Sequence, residues 1–232
     1  MASWVMPSTS KLLTVEVQMP PPFRWTTFDL NDWLPANWQQ DVRAATMTAD
    51  IREFSRTPVL SREGREVRHV TRGRVHADQV RDHLPWLYKA YRNEFLELAA
   101  EVSSERVSAA QDERYGVILN VQRGTGMRFE CHVDSNPLTG LLFCTDHAAG
   151  GELVVAHDQA AEGLTAVERS CSVIQPHKGQ LIFFNAQNYP HYARLLTAES
   201  DTRIVAVMNY YTESCPESTR PQELNRHLYG DK

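Results

Sequence analysis

His132 and Asp134 stand two residues apart in the run Cys131-His132-Val133-Asp134. A neutral imidazole and an ionised carboxylate are both good ligands for a first-row divalent metal. Two imidazoles and one carboxylate on a single face of the ion suit iron(II), because other positions stay open for small ligands such as O2. Side chains two apart on an extended strand share a face, so both groups can point the same way if this run ends a strand. The third ligand must arrive from elsewhere in the fold. A second pair of the same form, His76-Ala77-Asp78, lies where helical periodicity begins, and residues two apart on a helix do not share a face. His76 reads as a capping or surface residue, and Asp78 as an acid of the first helical turn, where the helix dipole favours it.

The elements that must position such a site divide the chain in two. Between residues 77 and 103, Leu84, Leu87, Tyr88, Tyr91, Phe95, Leu96 and Leu98 recur at three- and four-residue spacing, and Pro85 suits a first helical turn. This predicts helix, most firmly over 86–101. From Tyr115 the texture changes to short apolar runs, YGVILNVQ, LTGLLFCT, ELVVA, CSVIQ, QLIFF and RIVAVMNYY, separated by turn signals such as Gly124-Thr125-Gly126 and Gly150-Gly151. Strands around 127–132 and 190–196 bring the count to about eight, as a jelly roll requires. Residues 1–35 read as irregular, with a stop at Pro20-Pro21-Pro22, and Trp25, Phe28, Trp33 and Trp38 are expected to pack on the main body. The predicted fold class is α+β: a double-stranded β-helix (jelly-roll, cupin-like) core with N-terminal helices packed on it. One domain spans 1–232, with an irregular and helical part over 1–112, the jelly roll over 113–215 and a tail over 216–232.

Composition sets outer bounds. The chain has 232 residues, 42% hydrophobic and 23% charged, enough to bury a core without staples. No apolar run approaches a membrane span, and the first residues lack the apolar stretch of a signal peptide. The four cysteines, Cys131, Cys144, Cys171 and Cys215, form no CxxC pair, which points to reduced thiols and a cytoplasmic location. A net charge of −5 without a lysine run argues against nucleic-acid and membrane partners. Oligomeric state is not legible at this level.

Residues 115–212 resemble the 2-oxoglutarate/Fe(II) dioxygenase superfamily, in its prolyl-hydroxylase-like branch. The resemblance runs through the strand Gly116–Val121, the Gly124-Thr125-Gly126 turn, His132-Val133-Asp134, the strand at 138–144 and Gly150-Gly151-Glu152-Leu153. It continues through Pro176–Phe184, Tyr189-Pro190-His191-Tyr192, and Arg203 opening Ile204-Val205-Ala206-Val207. It implies that His132, Asp134 and His191 hold iron(II), and that Arg203 binds the far carboxylate of 2-oxoglutarate with its planar fork. Many members place a tyrosine on the strand before the metal motif to bind the co-substrate; Asn120 and Gln122 stand nearest that place here. His157 comes too soon after the Gly150-Gly151 hairpin to be the third ligand, and His177 lies in a turn facing solvent. Arg123 and Arg128 flank the glycine turn and are candidates for a substrate carboxylate or phosphate. Asn209, Tyr211 and Thr212 are candidates for the mouth of the site.

The resemblance therefore implies an oxygenase that takes iron(II), 2-oxoglutarate and O2, with ascorbate as an auxiliary reductant, and releases succinate and CO2. Asp134 stands where related halogenases carry a small residue, which favours hydroxylation. Asn209 stands where the nucleic-acid demethylase branch carries a second arginine. A small-molecule substrate, an amino acid or specialised metabolite, is expected. The alternatives are a peptidyl or protein hydroxylase of the same family, a cupin-like metal dioxygenase without 2-oxoglutarate, and a catalytically silent metal-binding module.

Overall fold

The computed structural model describes residues 25–55, 59–64, 67, 69–147 and 149–229. The expected stop at Pro20-Pro21-Pro22 lies outside them. In chain order the elements are β1 (Trp25–Asp29), α1 (Trp38–Ala45), β2 (Asp50–Ser55), β3 (His69–Val75), α2 (Ala77–His83), α3 (Pro85–Arg92), α4 (Glu94–Val102) and β4 (Val107–Ala109). The second half holds β5 (Val117–Arg123), β6 (Leu138–Phe143), β7 (Leu153–Ala156), α5 (Leu164–Glu168), β8 (Cys171–Ile174), β9 (Gln180–Phe184), β10 (His191–Ala193), β11 (Thr202–Thr212) and α6 (Gln222–Tyr229).

The strands form two antiparallel sheets. The larger runs β1-β9-β6-β11-β5-β3-β2, with β4 also on β11; the smaller runs β10-β7-β8. β11 is the central strand, paired with β5 along one edge and β6 along the other. Its side chains alternate between two covered faces. Ile204, Ala206, Met208 and Tyr210 enter the main core against the N-terminal helices, where Leu87, Tyr91 and Phe95 are fully buried. Val205 belongs to a second core between the two sheets, with Leu141, Leu153 and Phe184. A strand covered on both faces loses the polar–apolar alternation of a half-exposed one, which is why RIVAVMNYY reads as an almost unbroken apolar run. Two β-sheets with helices on the outer face of the larger are the jelly roll with packed helices that the sequence predicted.

Several local expectations are corrected. The periodic stretch 77–103 is helical as expected, with Pro85 in the first turn of a helix, but it is divided into three helices. Leu84 sits at φ −130°, ψ 57°, out of the helical region, as a residue before proline is driven to be, and Asn93 forms a second break at φ −125°, ψ −87°. The irregular region contains a strand: β1 pairs with β9, burying Trp25 and Phe28, while Trp33 and Trp38 pack against the main core. β2 and β3 were not expected at all. In β3 the alternating Arg72 and Arg74 mask the strand pattern because these charged positions are buried.

Residues 127–131 do not form the expected strand. Bonds of this stretch go to β3 and to the segment 60–62 instead: Arg128 N donates to Thr71 O (3.0 Å) and Cys131 O accepts from Arg62 N (2.7 Å), while Val133 N, just beyond, donates to Leu60 O (2.9 Å). The buried Glu63 carboxylate anchors this stretch. It accepts from Cys131 N at 2.6 Å and from Arg128 Nη2 at 3.2 Å, with Arg128 Nη1 against its other oxygen. Removing one partner of a buried ion pair leaves the other charge uncompensated. Glu63→Ala is therefore expected to cost about 3–5 kcal/mol of folding stability, read as a lowered midpoint in urea denaturation.

Candidate metal centre

His132 sits outside any regular strand, yet its position is fixed. It forms an antiparallel bridge with His191 of β10, the two residues exchanging both backbone bonds: His132 N to His191 O at 3.0 Å and His191 N to His132 O at 2.9 Å. Directly opposed residues in an antiparallel pair project to the same face. The imidazoles accordingly lie together, ring centroids 4.5 Å apart, and Phe184 stands edge-on to His191 at 5.2 Å. Asp134 joins them through its own backbone bond to Ala186 O (2.9 Å). One potential ligand atom from each of His132, Asp134 and His191 lies within 4.8 Å of the others.

The donor set fits a metal ion in detail. His132 Nδ1 lies 2.7 Å from Glu130 O, and His191 Nδ1 lies 2.9 Å from Tyr189 O. Each carbonyl takes the Nδ1 proton and so fixes the tautomer that leaves Nε2 with its lone pair. Both Nε2 atoms face Asp134 Oδ1, at 3.3 and 3.9 Å. The other carboxylate oxygen, Oδ2, accepts from Thr139 Oγ1 at 2.6 Å, and Thr139 in turn accepts from Asn136 at 2.8 Å. Oδ1 is thereby presented to the two imidazoles.

The electrostatics favour the ligand-competent forms of Asp134 and His191. Burial alone would raise the Asp134 carboxyl; the hydrogen bond from His132, the charges of both histidines and the Thr139 hydroxyl overcome it and hold the group well below the usual carboxylate range. Burial, reinforced by His132, pulls His191 down to about 4, so its imidazole is neutral at ordinary pH. Burial would lower His132 as well, but the hydrogen bond and charge of Asp134 outweigh it and raise the group. The field that favours a positive charge at His132 Nε2 is the field a bound cation would meet.

Arg203, at the start of β11, opens into the same cavity as the three ligands, a space of about 420 Å³ that Leu141, Leu153, Val205 and Val207 also line. Only 3% exposed, its guanidinium donates from Nε to Gly151 O at 2.6 Å and from Nη1 to Gln122 Oε1 at 3.3 Å, both uncharged acceptors. Gly151 has φ +71°, and a Cβ there would come within 3.0 Å of Arg203 Cδ, so this position suits glycine on both counts. Burial pulls the guanidinium down to about 10, against the opposing influence of Cys144 and Glu152, and leaves it charged at neutral pH. A buried cation with fork donors beside a metal trio fits a dicarboxylate that reaches from the metal to the guanidinium.

The remaining expected site residues separate. Asn120 lines the cavity, and its buried Oδ1 has no hydrogen-bond partner among the described residues. Gln122 instead fixes the scaffold, its amide donating to Met127 O and Arg194 O, both at 3.1 Å, while its oxygen steadies Arg203. Arg123 departs from the substrate role expected of it: it sits on the helix-facing side of β5 and donates to Thr46 O at 2.9 Å. Arg128 departs likewise, being committed to Glu63. Asn209 borders the outer cavity, but its amide is held by Tyr115 O at 2.6 Å. Tyr211 is buried against Tyr115 and Leu224. Both ring nitrogens of His157 face serine hydroxyls, and His177 is exposed. His76 is the residue before α2, its backbone N–H capped by Gln79 at 2.9 Å. Thr139, Arg72 and Arg74 were not singled out from the sequence. Thr139 carries no local signal, whereas the two arginines alternate within a β-branched run, the mark of a strand with one charged face.

Residues 116–211 match the family model described as the 2OG-Fe(II) oxygenase superfamily. No curated protein sequence matches the chain. Among solved structures it is similar to an oxidoreductase of the 2OG-Fe(II) oxygenase family from Burkholderia pseudomallei, with a TM-score of 0.58 at 12% identity over 85% of this chain and 89% of that one. It is similar to the non-haem α-ketoglutarate-dependent epimerase SnoN from nogalamycin biosynthesis, with a TM-score of 0.59 at 13% identity over 90% and 86%. It is also similar to a prolyl hydroxylase from Trichoplax adhaerens, solved with a hypoxia inducible factor oxygen degradation domain peptide fragment, with a TM-score of 0.52 at 12% identity over 82% and 84%. Likeness at these identities is likeness of fold.

Thr139→Val removes the hydroxyl that orients Asp134 while keeping its volume. Loss of such a supporting hydrogen bond is expected to weaken iron(II) binding about 10- to 100-fold, measured by anaerobic titration, with the fold retained by circular dichroism.

Proposed function

We propose that this chain, whose residues 116–211 match the family model of the 2OG-Fe(II) oxygenase superfamily, is an oxygenase that hydroxylates an unactivated C–H bond of a small molecule. In this reading His132, Asp134 and His191 hold the metal, Arg203 holds the distal carboxylate of 2-oxoglutarate, and the substrate is an amino acid or specialised metabolite. The observation that carries it is the shared cavity: three ligand atoms within 4.8 Å and a buried guanidinium open into one space. When bound, iron(II) with 2-oxoglutarate supplies O2 activation coupled to decarboxylation, yielding succinate and CO2; this chemistry belongs to the cofactor.

The chain's own residues bind, orient and exclude. The Nδ1–carbonyl bonds hold both imidazoles in the ligating tautomer, and Thr139 turns Asp134 Oδ1 toward them. Gln122 and Gly151 O set the angle of the Arg203 fork. The apolar side chains of Leu141, Leu153, Val205 and Val207 keep bulk water from the reactive space, strengthening the guanidinium–carboxylate attraction there. Asn120 offers a buried carbonyl oxygen to a donor on the co-substrate or substrate.

The limited size of the cavity supports a small substrate, as does the likeness to SnoN, a protein of nogalamycin biosynthesis. The likeness to a prolyl hydroxylase solved with a peptide fragment keeps a peptidyl substrate as the second reading. No helix among the described residues is long and apolar enough to cross a membrane, and a cytoplasmic site of action agrees with the reduced cysteines. The test is incubation with iron(II), ascorbate and 2-oxoglutarate across metabolite and peptide panels, with succinate release read alongside a one-oxygen mass gain. His132→Ala, Asp134→Ala and His191→Ala are each expected to reduce succinate release to background; wild-type release by Asp134→Ala would refute the ligand assignment. Arg203→Met is expected to raise the 2-oxoglutarate concentration for half-maximal rate by roughly 10- to 100-fold, the loss of a charge-assisted interaction of about 1.5–3 kcal/mol.

A further inference from the structure

Two spaces meet at the metal trio: the cavity that Arg203 lines and an outer one of about 670 Å³. The residues lining both are Asn120, Phe129, His132, Asp134 and Val207. His132 and Asp134 belong to the metal trio, and Phe129 and Val207 are apolar. Asn120 therefore supplies the remaining hydrogen-bonding side chain at the junction. Its place is set by β5, which pairs with β11 along one edge and β3 along the other. On the β11 side Gln122 lies opposite Arg203, Asn120 opposite Val205 and Ile118 opposite Val207. Alternate residues of a strand share a face, at a spacing of about 6.6 Å. Gln122, which steadies Arg203, thus marks the co-substrate end of β5, Asn120 the junction, and Ile118 the outer space that it lines.

The other side-chain amides around the site are engaged: Gln122 with Met127 O and Arg194 O, Asn136 with Thr139 and Asn209 with Tyr115 O. Asn120 Oδ1, by contrast, is buried without a hydrogen-bond partner among the described residues. A buried acceptor left without a donor costs free energy, so such a group is completed by a ligand or by water. Whichever way the amide is turned, one of its two polar atoms is an acceptor. 2-Oxoglutarate cannot satisfy that atom, because a keto oxygen and two ionised carboxylates are acceptors throughout. O2 and succinate bring no donor either. The group that completes Asn120 must carry an N–H or an O–H.

Resting on the oxygenase reading above, we infer that Asn120 is a specificity-determining residue for the substrate: its carbonyl oxygen accepts an N–H or O–H that the substrate carries close to the carbon to be oxidised. That bond holds the substrate at the junction, beside the metal and clear of the co-substrate's anchor at Arg203. The enzyme thereby selects donor-bearing molecules over analogues whose donor is blocked by methylation.

The test uses the full chain loaded anaerobically with iron(II) and 2-oxoglutarate. A visible charge-transfer band must form first; its absence counts against the oxygenase reading itself. The loaded protein is then titrated with two matched pairs of probes: 3-phenylpropan-1-ol with its methyl ether, and 3-phenylpropanamide with its N,N-dimethyl amide. Perturbation of the band gives the concentration for half-maximal response. In at least one pair the donor-bearing probe is expected to act at a concentration at least about fivefold below that of its methylated partner, and the responding pair distinguishes O–H from N–H. Asn120→Leu, close to asparagine in volume, is expected to bring that pair to within about twofold, while the 2-oxoglutarate concentration for half-maximal band formation moves by less than about fivefold. A larger rise in the 2-oxoglutarate requirement assigns Asn120 to the co-substrate and overturns the inference. So does a preference that survives Asn120→Leu, since it then comes from methyl bulk and the amide is met by water alone. If Asn120→Leu does not fold, the wild-type pairs decide: no donor preference in either, or response to no probe, overturns it.

Discussion

The backbone pair between His132 and His191 is the constraint on which the site depends. One partner belongs to β10; the other lies in a stretch that forms no strand of its own. Exchange of both N–H···O bonds places the two imidazoles on one face, and that face is the interior of the jelly roll. Asp134 needs only its own bond to Ala186 O to complete the trio. The surrounding loop contacts, with Glu63 bridging Cys131 N and Arg128, keep His132 in register where a regular ladder would otherwise do so. An error of one residue in that pairing would turn His132 away from the cavity, because side-chain direction alternates along extended backbone.

The larger sheet carries two different chemistries on its two faces. One face is apolar and packs against α2, α3 and α4, with Tyr91 and Tyr210 fixing the helical layer to β11 through Tyr91 Oη to Asn209 O (2.9 Å) and Tyr210 Oη to Tyr91 O (3.1 Å). The other face collects Arg203, Gln122, Asn120, Arg72 and Arg74 on three neighbouring strands. Buried guanidinium groups on that scale are costly for folding alone. The helical layer supplies the rigidity that lets β5 and β11 hold these side chains in place.

The chain's local signals were sufficient for most of the core. Tyr115 onward breaks into short apolar runs at turn spacing, and all but one of the expected strands there appear, because fully covered strands need unbroken apolar runs. The resemblance supplied His191 and Arg203; nothing local marks either residue, and only their order along the chain relative to His132-Val133-Asp134 singled them out. Residues 77–103 showed helix through their periodicity and Pro85 marked a helix start, while the break at Asn93 was hidden, since periodicity persists across a kink that keeps the same buried face.

What the sequence determined by itself was therefore the candidate pair His132 and Asp134 and the strand-rich half that carries them, because residue type, close spacing and hydrophobic period are local properties. What tertiary structure alone decided was partnership. Gln122 turned from the co-substrate to Arg203, Arg128 was taken by Glu63, Arg123 fell on the helical face, and β3 brought two arginines to the outer cavity from a part read as irregular and helical. Each outcome depends on which strands become neighbours and in what register. That pairing brings together residues far apart in the chain, and no window of adjacent residues encodes it.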